Sequence, residues 1–301
     1  MTKLEDFVKP PLAVVCHDAG AANLIVEWLK DYKGDLQPCM LGPAKIIWEK
    51  HFPGTKLISI DTVLNGSKSL LSGTGWGDVE HSARIKAKKI GIQNISVIDH
   101  WTNYRERFIR EESEVLPDII IVSDKHAYNQ AQILFPSILV IELPNNYLQV
   151  EAKLACSERL KECKDPIENI LIIAEPLRQK KPGKDIYLEF DAIEFFMNSL
   201  NKINISSNYV HIALRLHPSE PEGKYDFIQR KYQSLVTQFT ISKNNMLYED
   251  IAWADLVVGM NSFALVVALS AKVPTMSILP PGSNKCTLPY EEIRHLRNIG
   301  K

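Results

Sequence analysis

Three short segments hold the residue types that move protons or hold anions. The first is Cys16-His17-Asp18-Ala19-Gly20-Ala21-Ala22-Asn23. His17 and Asp18 can both transfer protons, and the small residues behind them let a backbone approach a ligand closely. A helix cap would account for Asp18 alone. The adjacent histidine and the Gly-Ala-Ala run are more than a cap requires, so both are catalytic candidates. The second segment runs Asp99-His100-Trp101-Thr102-Asn103-Tyr104-Arg105-Glu106-Arg107-Phe108. Asp99 and His100 are further catalytic candidates, and Asn103 is a candidate for holding a hydroxylated or anionic substrate. Trp101, Tyr104 and Phe108 have helical spacing and read as core. The third segment is Arg215-Leu216-His217-Pro218. Proline after His217 stops an extended run and fixes the backbone, presenting the imidazole where it can donate to a phosphate oxygen.

A fourth segment is rich in glycine. Three of the chain's 14 glycines fall at positions 73, 75 and 77 of Ser72-Gly73-Thr74-Gly75-Trp76-Gly77-Asp78. The spacing is neither the dinucleotide fingerprint nor the Walker phosphate loop. Two readings stay open. Gly73, Thr74 and Trp76 form a substrate loop, with Trp76 as a stacking surface for a sugar, or the segment is a tight turn with Asp78 capping a helix through Ile90. Lys285, in Pro280-Pro281-Gly282-Ser283-Asn284-Lys285, is either a phosphate or base contact or part of a plain surface loop. No Asp-x-Asp motif is present; Glu189-Phe190-Asp191 is the nearest match and reads as the solvated side of an amphipathic helix. The five cysteines (Cys16, Cys39, Cys156, Cys163, Cys286) have no CxxC spacing, so neither a zinc site nor a disulfide framework is expected. No metal site is expected.

These residues need elements to position them. Short apolar runs at 12–16, 57–60, 69–71, 95–98, 119–122 and 138–141 read as strands buried on both faces. Helical stretches at 21–30, 79–90 and 125–134 lie between them. The alternation weakens from Pro144 to Asn169 and restarts with strands at 170–174, 210–216, 256–258 and 275–278, a helix at 263–271 and an expected C-terminal helix from Leu288 to Lys301. Alternating strands and helices mark an α/β fold. The expectation is two doubly wound Rossmann-like domains, 1–150 and 151–301, facing a central cleft. The chemistry-bearing segments directly follow strands, where open α/β sheets bind ligands.

Composition agrees with an ordinary globular chain: 45% hydrophobic and 24% charged. Thirty-five Lys and Arg against 36 Asp and Glu give a net charge of -1, without the basic excess of a nucleic-acid binder. No apolar run is long enough to span a membrane, and the charged start, MTKLEDFVKPP, is unlike a signal peptide. A cytoplasmic protein is expected; its oligomeric state is not legible.

The stretch Met246 to Gly259, then Met260-Asn261-Ser262, the helix Phe263 to Ala271 and Val273-Pro274 resembles the donor-binding half of GT-B glycosyltransferases and their epimerase relatives. Those proteins share a helix, an "ADLVV" strand, a small polar turn, a helix and a Pro-led strand. The resemblance is close over about 40 residues and loose over the two-domain layout. Many UDP-sugar enzymes of this kind carry a ribose-binding glutamate midway along the second helix, where this chain has Val266-Val267. The His-Pro pair and the turn serine are instead similar to CMP-sugar transferases of the sialyl and Kdo types. That resemblance implies that His217 and Ser262 hold the donor phosphate, helped by Asn261 and Arg215. It also implies a metal-independent glycosyltransferase in polysaccharide biosynthesis, with a nucleotide-sugar co-substrate, a glycan acceptor and no resident cofactor. Asp18 is then the first choice of base and Asp99 the second. A nucleotide-sugar epimerase or hydrolase, or a non-catalytic sugar- or nucleotide-binding module, are the alternatives.

Overall fold

The computed structural model describes residues 2–160, 162–181, 184–218, 220–244 and 246–299. The chain divides into two compact units, one reaching Tyr147 and the other starting at Leu148.

The first unit contains β1 (Leu12–Cys16), α1 (Ala19–Leu29), β2 (Leu36–Met40), α2 (Gly42–His51), β3 (Ser69–Ser72), α3 (Asp78–Ile90) and β4 (Gln93–Val97). A two-residue hairpin, β5 (Ile109–Arg110) with β6 (Ser113–Glu114), precedes β7 (Ile119–Val122), α4 (Lys125–Leu134) and β8 (Leu139–Glu142); α5 (Asn146–Glu158) starts at the boundary and belongs mostly to the second unit. Six strands form one sheet in the order β2-β1-β3-β4-β7-β8, every pair parallel. Strand residues alternate between faces. Leu12, Val14 and Cys16 join the cluster of Leu24, Ile25 and Trp48, while Ala13 and Val15 pack with Leu70, Ala83 and Ala87. Both faces of β1 are therefore covered, which explains its unbroken apolar sequence.

The second unit contains β9 (Asn169–Ile173), the hairpin β10 (Arg178–Lys181) with β11 (Lys184–Tyr187), α6 (Leu188–Met197), β12 (His211–Arg215), α7 (Asp226–Tyr232) and β13 (Gln238–Ile241). It continues with α8 (Leu247–Trp253), β14 (Leu256–Gly259), α9 (Phe263–Ser270), β15 (Thr275–Ser277) and β16 (Arg294–His295). Its sheet order is β13-β12-β9-β14-β15-β16, again all parallel. Ile170, Ile172, Leu214, Val258 and Met276 meet Ile193 and Phe196 of α6 in its main core. Counting only sheet strands, this is the 3-2-1-4-5-6 order of doubly wound nucleotide-binding folds, and the first unit has the related 2-1-3-4-5-6 order.

Four sequence expectations are corrected. The run 57–60 is not a strand. The neighbouring place in the sheet belongs to β2, whose Pro38 masks the pattern and is tolerated because β2 is an edge strand. Ile58 makes one backbone bond to Pro38 C=O (2.7 Å), and Ile58 and Ile60 cover the core beside Val63. The weak-patterned region after Pro144 holds α5, 13 residues long. The expected tail helix is replaced by β16 and a 3-10 turn at Leu296–Asn298, because the buried Ile293 and Leu296 seat the segment against the edge at β15; Gly300 and Lys301 lie outside the described residues. Glu189 is fully buried rather than solvated, and pairs with Lys224 at 2.9 Å. Among the described residues, no helix is long and apolar enough to cross a membrane.

Candidate functional site

In the first unit the chain leaves β1 and β3 toward opposite sides of the sheet, so a crevice opens at their carboxyl ends. His17 and Asp18 follow β1 there. His17 Nδ1 lies 2.7 Å from Asp18 Oδ1, with each side chain nearly two-fifths exposed. Asp18 occupies the N-cap position of α1, yet its carboxylate accepts no hydrogen bond from that helix. Its Oδ2 instead accepts the Trp76 N–H at 3.3 Å. A carboxylate on Nδ1 selects the tautomer that leaves Nε2 as a proton acceptor. The pair therefore reads as imidazole base and carboxylate orienter.

Glycines make room for this pair. A Cβ on Gly75 would lie 2.7 Å from Asp18 Oδ2, and one on Gly42 2.6 Å from His17 Nε2. Gly42 also has φ +48°, a conformation that side chains disfavour. Gly20 admits Asp99, whose Oδ2 would stand 1.9 Å from an added Cβ.

Beneath the pair is a buried residue that the sequence reading missed. Glu80 of α3 is fully buried and accepts the His17 backbone N–H at 2.8 Å. Burial pushes its carboxyl above the usual range, and its Oε2 has no hydrogen-bond partner among the described residues. One turn further along, Arg84 is also fully buried. It donates to Gly73 C=O (3.2 Å) and Arg107 C=O (3.3 Å), lies over the Phe108 ring, and is held down at about 10 by burial. The signal was present: Glu80, Arg84 and Ala87 share the core-facing stripe of one helix, where charges are costly unless they are used.

Asp99 is already engaged. It pairs with Arg107 at 2.9 Å, both side chains largely buried, and so is less available as a base than the half-exposed His17. Thr74 is fully buried; its hydroxyl donates to Val97 C=O (2.8 Å) and accepts from Arg107 (3.3 Å). It fixes the loop from the inside. Gly73 carries no side chain but packs against Cys16 and Ala21. Asn103 is exposed with φ 56° and caps a turn through its carbonyl, which accepts the Arg107 N–H at 3.2 Å. The His100 Nδ1 meets Thr102 Oγ1 at 3.2 Å. Asp78 is the first helical residue of α3, not its cap, which is Gly77. Trp76 projects outward, 55% exposed, with the Arg107 and Arg110 guanidiniums each 5.9 Å from its ring centre. Trp101, Tyr104 and Phe108 are core residues.

In the second unit the corresponding crevice lies between the ends of β9 and β14. Glu175 follows β9, and its Oε2 accepts the Asn261 N–H at 2.9 Å. Burial is the main cause that raises this carboxyl to about 7, with nearby Glu220 adding to it. Asn261 Oδ1 accepts the Thr287 N–H at 2.9 Å, tying down the loop after β15. Ser262 is the N-cap of α9, its hydroxyl accepting from Ala264 N–H at 3.3 Å. Arg215 reaches Asp250 at 2.7 Å and Asn244 C=O at 2.9 Å. The His217 N–H donates to Glu220 Oε2 at 3.0 Å, and burial lowers the imidazole. Glu220 also accepts from Tyr225 OH at 2.7 Å and pairs with Lys224, which bridges to Glu189. Lys285 is exposed, and its loop is clamped by Arg297 through Ser283 Oγ (2.8 Å) and Asn284 C=O (2.9 Å).

No protein-family model matches the sequence, and no curated protein matches it. Solved structures do match in fold. HepE of Anabaena in complex with UDP-glucose has a TM-score of 0.54 and 10% identity, over 89% of this chain and 80% of that one. UDP-GlcNAc 2-epimerase of Neisseria meningitidis bound to UDP-GlcNAc has a TM-score of 0.56 and 13% identity, over 84% and 78%. MurG of Acinetobacter baumannii has a TM-score of 0.54 and 12% identity, over 91% and 80%. With two Rossmann-like units, each built on a six-stranded parallel sheet, the chain has the fold of the GT-B enzymes.

Proposed function

We propose that the chain is a glycosyltransferase that moves a sugar from a nucleotide-activated donor to a glycan acceptor. The second unit takes the nucleotide and the first the acceptor. The observation that carries this reading is the His17–Asp18 pair at the end of β1, joined at 2.7 Å and fitted against Gly42 and Gly75. The solved structures of similar fold support it through the nucleotide sugars that two of them hold.

In this mechanism His17 Nε2 takes the proton of an acceptor hydroxyl while Asp18 holds the imidazole through Nδ1. The acceptor oxygen forms its bond to the anomeric carbon as the bond from that carbon to the donor phosphate breaks. The electron pair leaves with the phosphate, whose charge is met by His217 and by the amino-terminal turn of α9 beginning at Ser262. Trp76 gives an apolar face for a sugar ring. No cofactor is needed, and the nucleotide sugar is a co-substrate. The His-Pro pair, similar to that of CMP-sugar transferases, favours a CMP-sugar donor.

The test is a thermal-shift panel of CMP, CDP, UDP, GDP and ADP, followed by transfer assays with the sugar of the nucleotide that responds. A ligand at 100 times its Kd adds about 2.7 kcal/mol. One selective response, with sugar transfer to glycan from that donor, is the expected result. No response from any nucleotide at saturating concentration overturns the reading.

A further inference from the structure

A second polar recess lies at the other end of the first unit's sheet. Lys9 precedes β1, Lys68 precedes β3, Gln93 and Asn94 begin β4, and Pro117 and Asp118 precede β7. With Lys88 and Gly91 at the end of α3 they line a cavity of about 680 Å³. Strands of four or five residues at ~3.3 Å per residue separate it from His17 and Asp18 by on the order of 15 Å, so it is not part of the site above.

Its charge is one-sided. Three lysines and one acidic residue, Asp118, line it, and the Asp118 carboxylate already accepts the Asn94 N–H at 2.8 Å. None of the three lysines forms an ion pair with a described residue, whereas Lys86 on the same helix pairs with Asp61 at 3.4 Å. Two of the lysines are rooted in fixed backbone. The Lys9 N–H donates to Ser69 Oγ at 2.9 Å and the Lys68 N–H to Pro11 C=O at 2.9 Å. Gln93 turns its carbonyl oxygen to Ser69 Oγ at 3.2 Å, which leaves its amide nitrogen as the group it offers. Flexible lysines alone would be an ordinary surface. Three lysines that form no ion pair with a described residue and line one recess from separate elements, with an oriented amide donor, make a concave electropositive site.

We propose that this recess binds a phosphate group, either free in a soluble phosphate ester or pyrophosphate, or carried on a lipid headgroup. Lys9, Lys68 and Lys88 supply the charge and Gln93 a directed hydrogen bond. The proposal stands independently of the transferase reading, because it uses none of that site's residues.

Pyrophosphate titrated into the full chain at low ionic strength, by calorimetry, is the first test. It is run on wild type and on His217→Ala, which removes the imidazole that the proposed function places at the donor phosphate. Binding retained in His217→Ala, weakened at least 10-fold in Lys9→Gln/Lys68→Gln/Lys88→Gln, and falling steeply with added salt is the expected result. Lysine acylation mapped by mass spectrometry needs no variant. Pyrophosphate must protect Lys9, Lys68 and Lys88 while Lys45, exposed on α2, reacts unchanged. Co-sedimentation with phosphatidylglycerol vesicles, lost in the triple variant, assigns the source to a lipid headgroup; pyrophosphate binding without vesicle binding assigns it to a soluble phosphate. Absence of both, or binding with no protection of these lysines, overturns the proposal.

Discussion

The two units place polar residues at the same point of the same kind of sheet but engage them differently. In the first unit, His17 and Asp18 hold each other and remain nearly two-fifths exposed. The buried ions around them, Glu80, Arg84 and the Asp99–Arg107 pair, face inward and brace the loops. In the second, Arg215 is spent on Asp250, Asn261 on Glu175 and Thr287, and Ser262 on its own helix. A strand terminus says where polar residues collect. The partner of each residue decides whether it is poised for a ligand or holds a loop. The first unit thus leaves a histidine–carboxylate pair open to solvent, while the second commits these polar side chains to bracing its loops.

Substitutions that separate those two roles test the contrast, and the largest effect is expected in the first unit. Asp18→Asn should lower kcat for transfer by about 10³-fold with little change in donor KM, since it keeps the shape but loses the tautomer control. Steady-state kinetics checks it; an unchanged kcat would sink the imidazole-base assignment. Next in size is Arg215→Ala. Its cost should be stability, about 3 kcal/mol in denaturant unfolding, because Asp250 is left buried without its cation. A variant of normal stability that had lost only nucleotide affinity would make Arg215 a ligand-binding residue instead.

Glu175 gives a pH signature confined to the second unit. Its carboxyl is raised from 4.5 to about 7 in the folded chain. The native state therefore holds a proton that the unfolded state has released, and stability should fall as pH rises from 4.5 to about 7. Glu175→Gln should flatten that fall, read from urea midpoints across the window. A slope that stays the same would remove Glu175 as its source. The smallest expected change is at Trp76. Trp76→Ala should raise acceptor KM several-fold, with stability nearly unchanged because the ring is 55% exposed; an unchanged KM would leave Trp76 without an acceptor role.

Much of the fold was legible because strands buried on both faces write themselves as unbroken apolar runs. Leu12–Cys16 and Ile119–Val122 are the plainest cases. Edge strands do so less regularly: β8 was legible at 138–141, but β2 with Pro38, β13 and β16 escaped. The location of the candidate site was legible too, since His17, Asp99, His217 and Asn261 all follow strands. Partners were not. Nothing in the local sequence around Thr74 says that its hydroxyl is sealed against Val97 and Arg107, 23 and 33 residues away. Glu80 was missed because a glutamate in a charged helix reads as solvated unless its stripe is traced. The same error put Glu189 on the surface.

The contrast between the units is tested most directly by measuring nucleotide Kd by calorimetry for Asp18→Asn and His217→Ala side by side. The account predicts that Asp18→Asn binds as wild type does, while His217→Ala weakens binding at least 10-fold. Equal losses in both variants, or a loss in Asp18→Asn alone, would contradict the division of labour between the two units.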